Sequence, residues 1–225
     1  MQQDNVSELA RRRSNRWMRM LQPPLPLWHN TASREQLIPL GARNLYIGGA
    51  GNQVPGYFNV DLVALPGVDV VCDAENLPFR DETLDRVDCE AVIEHTPDPA
   101  KLIGEIHRCL KKGGGCRIVA PFCHPFHEYP RDYWRFSIDG LHRLVAPMRV
   151  IGDGWFTGPT ATLLIVVIEY AKLWMPSRWL KRATWCVLGW LLFPLRYLDV
   201  LLLRSPTARQ LGNHAYVWAQ KQNGE

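Results

Sequence analysis

The sequence has no Cys-x-x-Cys pair, no G-x-G-x-x-G, no internal repeat, and no uncharged apolar run as long as the roughly 18 residues that a membrane span needs. Its six cysteines, at 72, 89, 109, 116, 123 and 186, sit mostly inside apolar runs. That placement argues for buried reduced thiols over a disulfide framework. Arg11, Arg12, Arg13, Arg16 and Arg19 have no apolar stretch behind them, because Pro23, Pro24 and Pro26 follow at once. No secretory signal is read there, and the expected compartment is the cytoplasm.

What is present is an uneven charge distribution. The 225 residues are 47% hydrophobic and 21% charged, with a net charge of +4, the composition of a folded chain. Residues 1–44 carry seven Lys/Arg against three Asp/Glu, residues 45–149 eleven against fifteen, and residues 150–225 eight against four. An acidic middle lies between two basic ends. The ends suit an anionic surface, whereas nucleic acid is disfavoured because the acidic middle would repel its phosphates. Five of the nine tryptophans fall between Trp155 and Trp190.

Periodicity predicts a short basic helix over Ser7 to Leu21 and then, from residue 43, alternating strands and helices. Strands are expected near 43–47, 57–61, 68–72, 84–90, 115–120, 148–152 and 214–220. A helix over Pro97 to Leu110 is expected to be capped by Thr96 and stopped by Gly113 to Gly115. A second is expected over Ile138 to Leu144, capped by Ser137. This alternation implies an α/β fold, an open, mostly parallel sheet with helices on both faces. The expected division is a basic extension over 1–42, a core over 43–153, an apolar Trp-rich helical insertion over 154–205, and the last strand with the tail over 206–225.

The strand Leu45-Tyr46-Ile47 runs into Gly48-Gly49-Ala50-Gly51, where glycine lets backbone approach a ligand at a strand's C-terminal end. Asp61 ends the next strand, and a carboxylate there can accept from two ribose hydroxyls. Asp73 follows Val70-Val71-Cys72, placed to accept from an adenine amino group. Glycine, acid and acid on three consecutive strand ends describe a nucleoside site. Residues 52–60, with Pro55 and Gly56, leave little room for the helix whose N-terminus would hold a pyrophosphate. A phosphate-free cofactor is therefore expected, and S-adenosyl-L-methionine (SAM) fits.

Residues 45–51, Asp61, the segment Asp73-Ala74-Glu75-Asn76-Leu77-Pro78-Phe79, the strand Leu84 to Glu90 with its trailing Ile93-Glu94-His95, and Leu110-Lys111-Lys112-Gly113-Gly114-Gly115 form an ordered set. That set resembles the class I SAM-dependent methyltransferases of the type-11 domain group, in a branch with a short first crossover. The resemblance covers about residues 43–153 and the last strand. It implies a Rossmann-like methyltransferase with SAM contacts at Gly48, Gly49, Gly51, Asp61, Leu62, Asp73, Ala74 and Glu90. Two positions depart from the pattern: Tyr46 stands where the family usually has an acid, and Ala50 where it has the second glycine.

Residues 121–136 concentrate histidine, acids, arginine and aromatics after the fifth strand. They read either as an acceptor-binding loop, with His127 as base or acceptor-orienting group and Asp132, Tyr133 and Arg135 as contacts, or as a structural loop tied down by Arg135 and Asp132. Glu94 and His95 are further catalytic candidates. Cys123, His124, His127 and Glu128 have no second ligand cluster and no metal is expected. The apolar stretches Thr160 to Met175 and Ala183 to Leu203, with Arg178, Lys181 and Arg182, fit three descriptions: peripheral membrane contact through 155–205, a soluble lid or dimer surface, or a hairpin span.

The expected function is methyl transfer to a small-molecule acceptor: a glycan, lipid-linked saccharide or other lipid at the inner face of the cytoplasmic membrane. The alternative is an inactive, membrane-associated interaction module, motivated by Tyr46 and Ala50. The sequence sets no oligomeric state.

Overall fold

The computed structural model describes residues 37–49, 51–127 and 131–222. The basic helix expected over Ser7 to Leu21, Ala50 of the glycine turn and Glu128 of the loop lie outside them. Seven strands form one sheet: β1 Asn44–Ile47, β2 Phe58–Asp61, β3 Val70–Val71, β4 Leu84–Glu90, β5 Leu110–Pro121, β6 Arg149–Thr157 and β7 His214–Gln220. Their order is β3-β2-β1-β4-β5-β7-β6, and the first five are mutually parallel. β7 runs the other way. Gly113 N donates to Lys221 O and Phe122 N to Asn213 O, so the partner number falls as β5 advances. The expected open, mostly parallel sheet is what forms.

Register assigns the two faces of the sheet. Leu45, Ile47, Val87, Cys89, Cys116 and Ile118 share one face and are buried. Helix α1, Pro99–Cys109, buries Leu102, Ile103 and Ile106 and packs on β5 and on helix α2, Ile138–Leu144. Met148, just past α2, brings its sulfur to 3.9 Å from Cys116 Sγ, which puts both helices on this apolar face. Each such buried aliphatic side chain contributes about 1.5–3 kcal/mol. Burial pushes the Cys116 thiol up to about 12, so it stays protonated and inert.

Several boundaries differ from expectation for local reasons. Asp98, not Thr96, caps α1: its carboxylate accepts from Ala100 N at 3.1 Å and Lys101 N at 3.0 Å, while Thr96 Oγ1 donates to Ile93 O. Asp98→Ala should therefore destabilise the chain by about 1 kcal/mol in urea unfolding, and Thr96→Ala should not reproduce a cap loss. The glycines at 113–115 do not stop α1. Leu110 is already extended, and the glycines lie within β5. β6 runs to Thr157, five residues past its expected end. α2 begins after Ser137, whose hydroxyl accepts from Gly140 N, as expected.

The described residues fall into two compact units. One holds 37–121, 131–154 and 215–222; the other holds 122–127 and 155–214. In the second, α3 Pro159–Leu173 and α4 Arg178–Leu192 form an antiparallel helical hairpin. A 3-10 segment, Phe193–Leu198, and the short α5 Asp199–Leu202 continue α4 back along α3. Asp199 is fully buried and accepts from Thr160 N at 2.8 Å and Ala161 N at 3.1 Å. It supplies the anionic cap that Gly158, at the N-cap position of α3, has no side chain to provide.

Candidate active site

In the larger unit, the parallel strands β1, β2 and β3 bring Gly48, Asp61 and Asp73 to one edge, because Ile47 pairs with Val60 and Asp61 with Val71. Gly48 has φ +79, and its N–H donates to Val60 O at 2.9 Å. A Cβ there would lie 1.9 Å from Val92 Cγ2, and one on Gly49 would lie 2.9 Å from Asn52 O. Only glycine fits this turn. Asp61 is half-buried and folds its carboxylate toward Val63 N at 3.2 Å, with the exposed Leu62 beside it. Asp73 is exposed and accepts from Glu75 N, with Ala74 half-buried between them.

The segment after Asp73 is pinned to α1. Glu75 accepts from Asp98 N, Leu77 N donates to Glu105, and Arg108 donates to the carbonyls of Leu77 and Phe79. The Arg108 guanidinium holds the Glu105 carboxyl below the usual range.

These residues fit a SAM-like group. The turn removes side chains where a ligand's backbone-facing edge would lie, and two carboxylates follow on neighbouring strand ends. No helix occupies residues 52–57 or 62–69, so no helix N-terminus is offered there to a phosphate. A shallow concavity lined by Gly113, Arg149, Gln220 and Lys221 lies at the opposite end of the sheet, away from the strand ends that carry ligands in open α/β folds.

The sheet's other face carries a buried ionic ladder that sequence reading missed. Asp88 accepts from Arg86 Nε at 2.7 Å and Nη2 at 2.8 Å and from Tyr57 OH at 3.2 Å. Arg117 approaches the same carboxylate at 3.5 Å and donates to Glu90 Oε2 at 2.7 Å. Tyr46 OH reaches that oxygen at 3.4 Å. Burial first, and then the neighbouring Glu90 and Asp88 respectively, push the Tyr46 and Tyr57 hydroxyls well above their ordinary range, so both are donors. Tyr46, a departure from the family pattern, thus acts as a hydrogen-bond donor to Glu90 just before the glycine turn. The available signal was the period-two spacing of Arg86, Asp88 and Glu90 within one strand.

Glu94 and His95 form a 3-10 turn after β4. Glu94 is fully buried, and its carbonyl accepts from Tyr133 N and Trp134 N. His95 Nδ1 is 2.5 Å from Arg131 O, which can only accept. This ring nitrogen therefore carries the proton, and Nε2 faces the Glu94 carboxylate at 3.7 Å. Arg135 clasps Asp132 bidentately, with Nη2 2.6 Å from Oδ2, and Asp132 is buried beneath it. Tyr133 is exposed.

His127 lies in the smaller unit, where Nδ1 is 3.3 Å from Pro125 O. Its ring meets His124 edge-on at 4.9 Å, and His124 meets His214 at 5.0 Å. His124 pairs with Asn213 and His214 with Thr157. Sequence reading did not single out His214, since it opens a strand far along the chain.

Residues 58–118 match the methyltransferase-domain family. A ubiquinone/menaquinone biosynthesis C-methyltransferase of Desulfotalea psychrophila is 32% identical over 84 residues, 36% of this chain and 34% of that protein. A chloroplastic 2-methyl-6-phytyl-1,4-hydroquinone methyltransferase of Oryza sativa subsp. japonica is 44% identical over 76 residues, 32% of this chain and 23% of that protein. The chain therefore spans about a third or less of the length of these curated relatives. Among solved structures, Haemonchus contortus phosphoethanolamine N-methyltransferase 2 in complex with SAM superposes with a TM-score of 0.52 at 19% identity, covering 86% of this chain and 52% of that one. At that identity the likeness concerns the fold alone. The matched segment runs from β2 into β5, and it and the sheet that carries it resemble the class I SAM-dependent methyltransferases.

Proposed function

We propose that the chain transfers the methyl group of SAM to a lipid acceptor at the inner face of the cytoplasmic membrane. The observation that carries the transfer is the row Gly48, Asp61 and Asp73 on three adjacent strand ends. Bound SAM supplies a sulfonium methyl group for in-line displacement. The chain's part is to hold the two reactants in line. Gly48, Gly49 and Gly51 present backbone, Asp61 accepts from ribose hydroxyls, and Asp73 with Ala74 and Leu62 takes the adenine side. Glu90, steadied through Oε2 by Arg117 and Tyr46, puts negative charge near a cationic cofactor. His127 is the first candidate for removing an acceptor proton, with His95 and Glu94 behind it. Arg135, fixed by Asp132, and Tyr133 are the acceptor contacts.

The membrane and lipid parts of this reading are supported by the apolar exposure of the hairpin and by the relatives' names. One relative is named for a phytyl-substituted hydroquinone and another for ubiquinone/menaquinone biosynthesis. These names favour an apolar small molecule over a glycan within the acceptor classes expected from sequence.

Two measurements test the proposal. Calorimetric titration of the folded chain with SAM should show saturable binding that Asp61→Ala reduces at least tenfold. Incubation with methyl-labelled SAM and a lipid extract should place label in the lipid phase, and His127→Ala should slow that transfer. A folded chain that binds no SAM would be the inactive module, and label confined to water-soluble saccharides would remove the lipid assignment.

A further inference from the structure

Sixteen large apolar side chains between Leu163 and Leu202 are exposed, and Leu173, Trp174 and Trp179 are each more than 70% so. Exposed single hydrophobes are ordinary, but an unbroken series along two packed helices marks a docking surface. On α3 the exposed positions Leu163, Val166, Val167, Tyr170, Leu173 and Trp174 follow helical spacing, so they form one stripe. On the returning arm Val187, Trp190, Leu191, Leu195 and Leu198 continue it.

The charges around this surface indicate what covers it. Both acids of the hairpin are already neutralised or buried: Glu169 holds Lys172 at 2.6 Å, and Asp199 caps α3. The exposed charges are basic. Arg178, Lys181 and Arg182 stand by the hairpin turn, and Arg204 and Arg209 stand beyond the other end. Tryptophans beside the first group, Trp174 and Trp179, have the amphipathic character of side chains at a lipid interface.

The run Arg178–Leu202, 25 residues containing an 18-residue stretch of mean hydropathy 1.5, is long and apolar enough to cross a membrane by length and composition, longer than the sequence expectation allowed. Three features argue against crossing. The uncharged part, 183–195, reaches only about 20 Å as a helix against a hydrocarbon core of about 30 Å. Regular helix stops at Leu192, and a 3-10 segment containing Pro194 follows. Basic residues also occupy both ends of the hairpin, so upright insertion would drive Arg178, Lys181 and Arg182 through the hydrocarbon.

We propose that α3, α4 and α5 dock flat on an anionic bilayer, within one leaflet, with both basic ends at headgroup level and the apolar midsection among the acyl chains. The inference rests on the membrane reading above and adds its orientation and lipid charge.

The full chain should co-sediment with phosphatidylcholine vesicles containing phosphatidylglycerol and bind at least tenfold more weakly to phosphatidylcholine alone. Val167→Glu with Leu191→Glu, both at exposed positions, should abolish binding to either. Cysteines introduced as Ser177→Cys and Ser205→Cys should both react with a membrane-impermeant maleimide added outside loaded vesicles. Equal binding to neutral vesicles would overturn the anionic preference, and protection of one of the two cysteines would show a span. Self-association without vesicle binding would assign the surface to a second copy. SAM titration of the Glu double variant separates the two readings. Retained SAM affinity with lost vesicle binding supports the docking surface, whereas a parent chain that binds vesicles but no SAM defeats the methyltransferase activity and leaves the docking intact.

Discussion

Gly48→Ala is expected to weaken SAM binding about a hundredfold while leaving the chain folded. At φ +79 an L-residue pays roughly 1–2 kcal/mol in backbone strain, and the new methyl would overlap Val92 Cγ2, 1.9 Å away. The turn must shift by something like an ångström to relieve that overlap, and displacement of this size at a binding loop costs about a hundredfold. Gly104→Ala is the matched control. It lies on the exposed side of α1 with nothing within 4 Å of a new Cβ, so it should raise stability by about 0.5–1 kcal/mol and leave SAM affinity unchanged. Calorimetric titration beside thermal melts reads both quantities. Undiminished SAM affinity in Gly48→Ala would show that the turn is not the cofactor cradle.

The largest expected loss of stability is at Asp88. Its carboxylate balances two buried guanidiniums, Arg86 and Arg117, and accepts from Tyr57. Asp88→Ala leaves Arg86 without its carboxylate in the sheet, while Arg117 keeps Glu90, and the buried unpaired cation costs about 3–5 kcal/mol, a large share of the roughly 5–15 kcal/mol that holds a domain folded. Tyr57→Phe removes one donor and should cost no more than about 1 kcal/mol. Urea unfolding of the two variants measures the contrast. If Asp88→Ala failed to accumulate as folded protein, the paired replacement Arg86→Met with Asp88→Leu should recover much of the stability, because it removes the charges together. Equal, small losses for Asp88→Ala and Tyr57→Phe would mean that the ladder is solvated and contributes little.

The parts of the fold legible in the sequence were those where local pattern and tertiary context agree. β4, α2 and β7 appear at their expected boundaries because alternation, a serine cap and an apolar run each carry the signal locally. β3 shrinks to two residues because it is an edge strand paired only with β2. Lys111 to Gly115 reads as a turn, yet it belongs to β5, since Gly113 and Gly114 bond to Lys221, more than a hundred residues away. β6 continues through Gly152 and Gly154, where small residues accommodate Leu37 and the Tyr216 ring.

The candidate site was legible as glycine and acids on strand ends. The partners of Glu90 were not, because charges alternating in a strand normally indicate a solvated face, and only the register between β1, β4 and β5 brings Tyr46 and Arg117 to it. His214 escaped for the same reason: its nearness to His124 depends on a return of the chain that no local window contains.

The clasp between Asp199 and the first turn of α3 closes the hairpin at its base. The Asp199 carboxylate lies close against the backbone of Gly158, where an added Cβ would be 2.5 Å from its carboxyl carbon. The forty residues between these two points leave and return at nearly one place. Such a segment behaves as a cassette. It can be acquired, lengthened or exchanged in evolution, or replaced by a short linker in the laboratory, without altering the path of the chain outside it. The apolar surface between these points and its basic cluster Arg178, Lys181 and Arg182 can therefore vary independently of the residues that form the glycine turn and the ionic ladder.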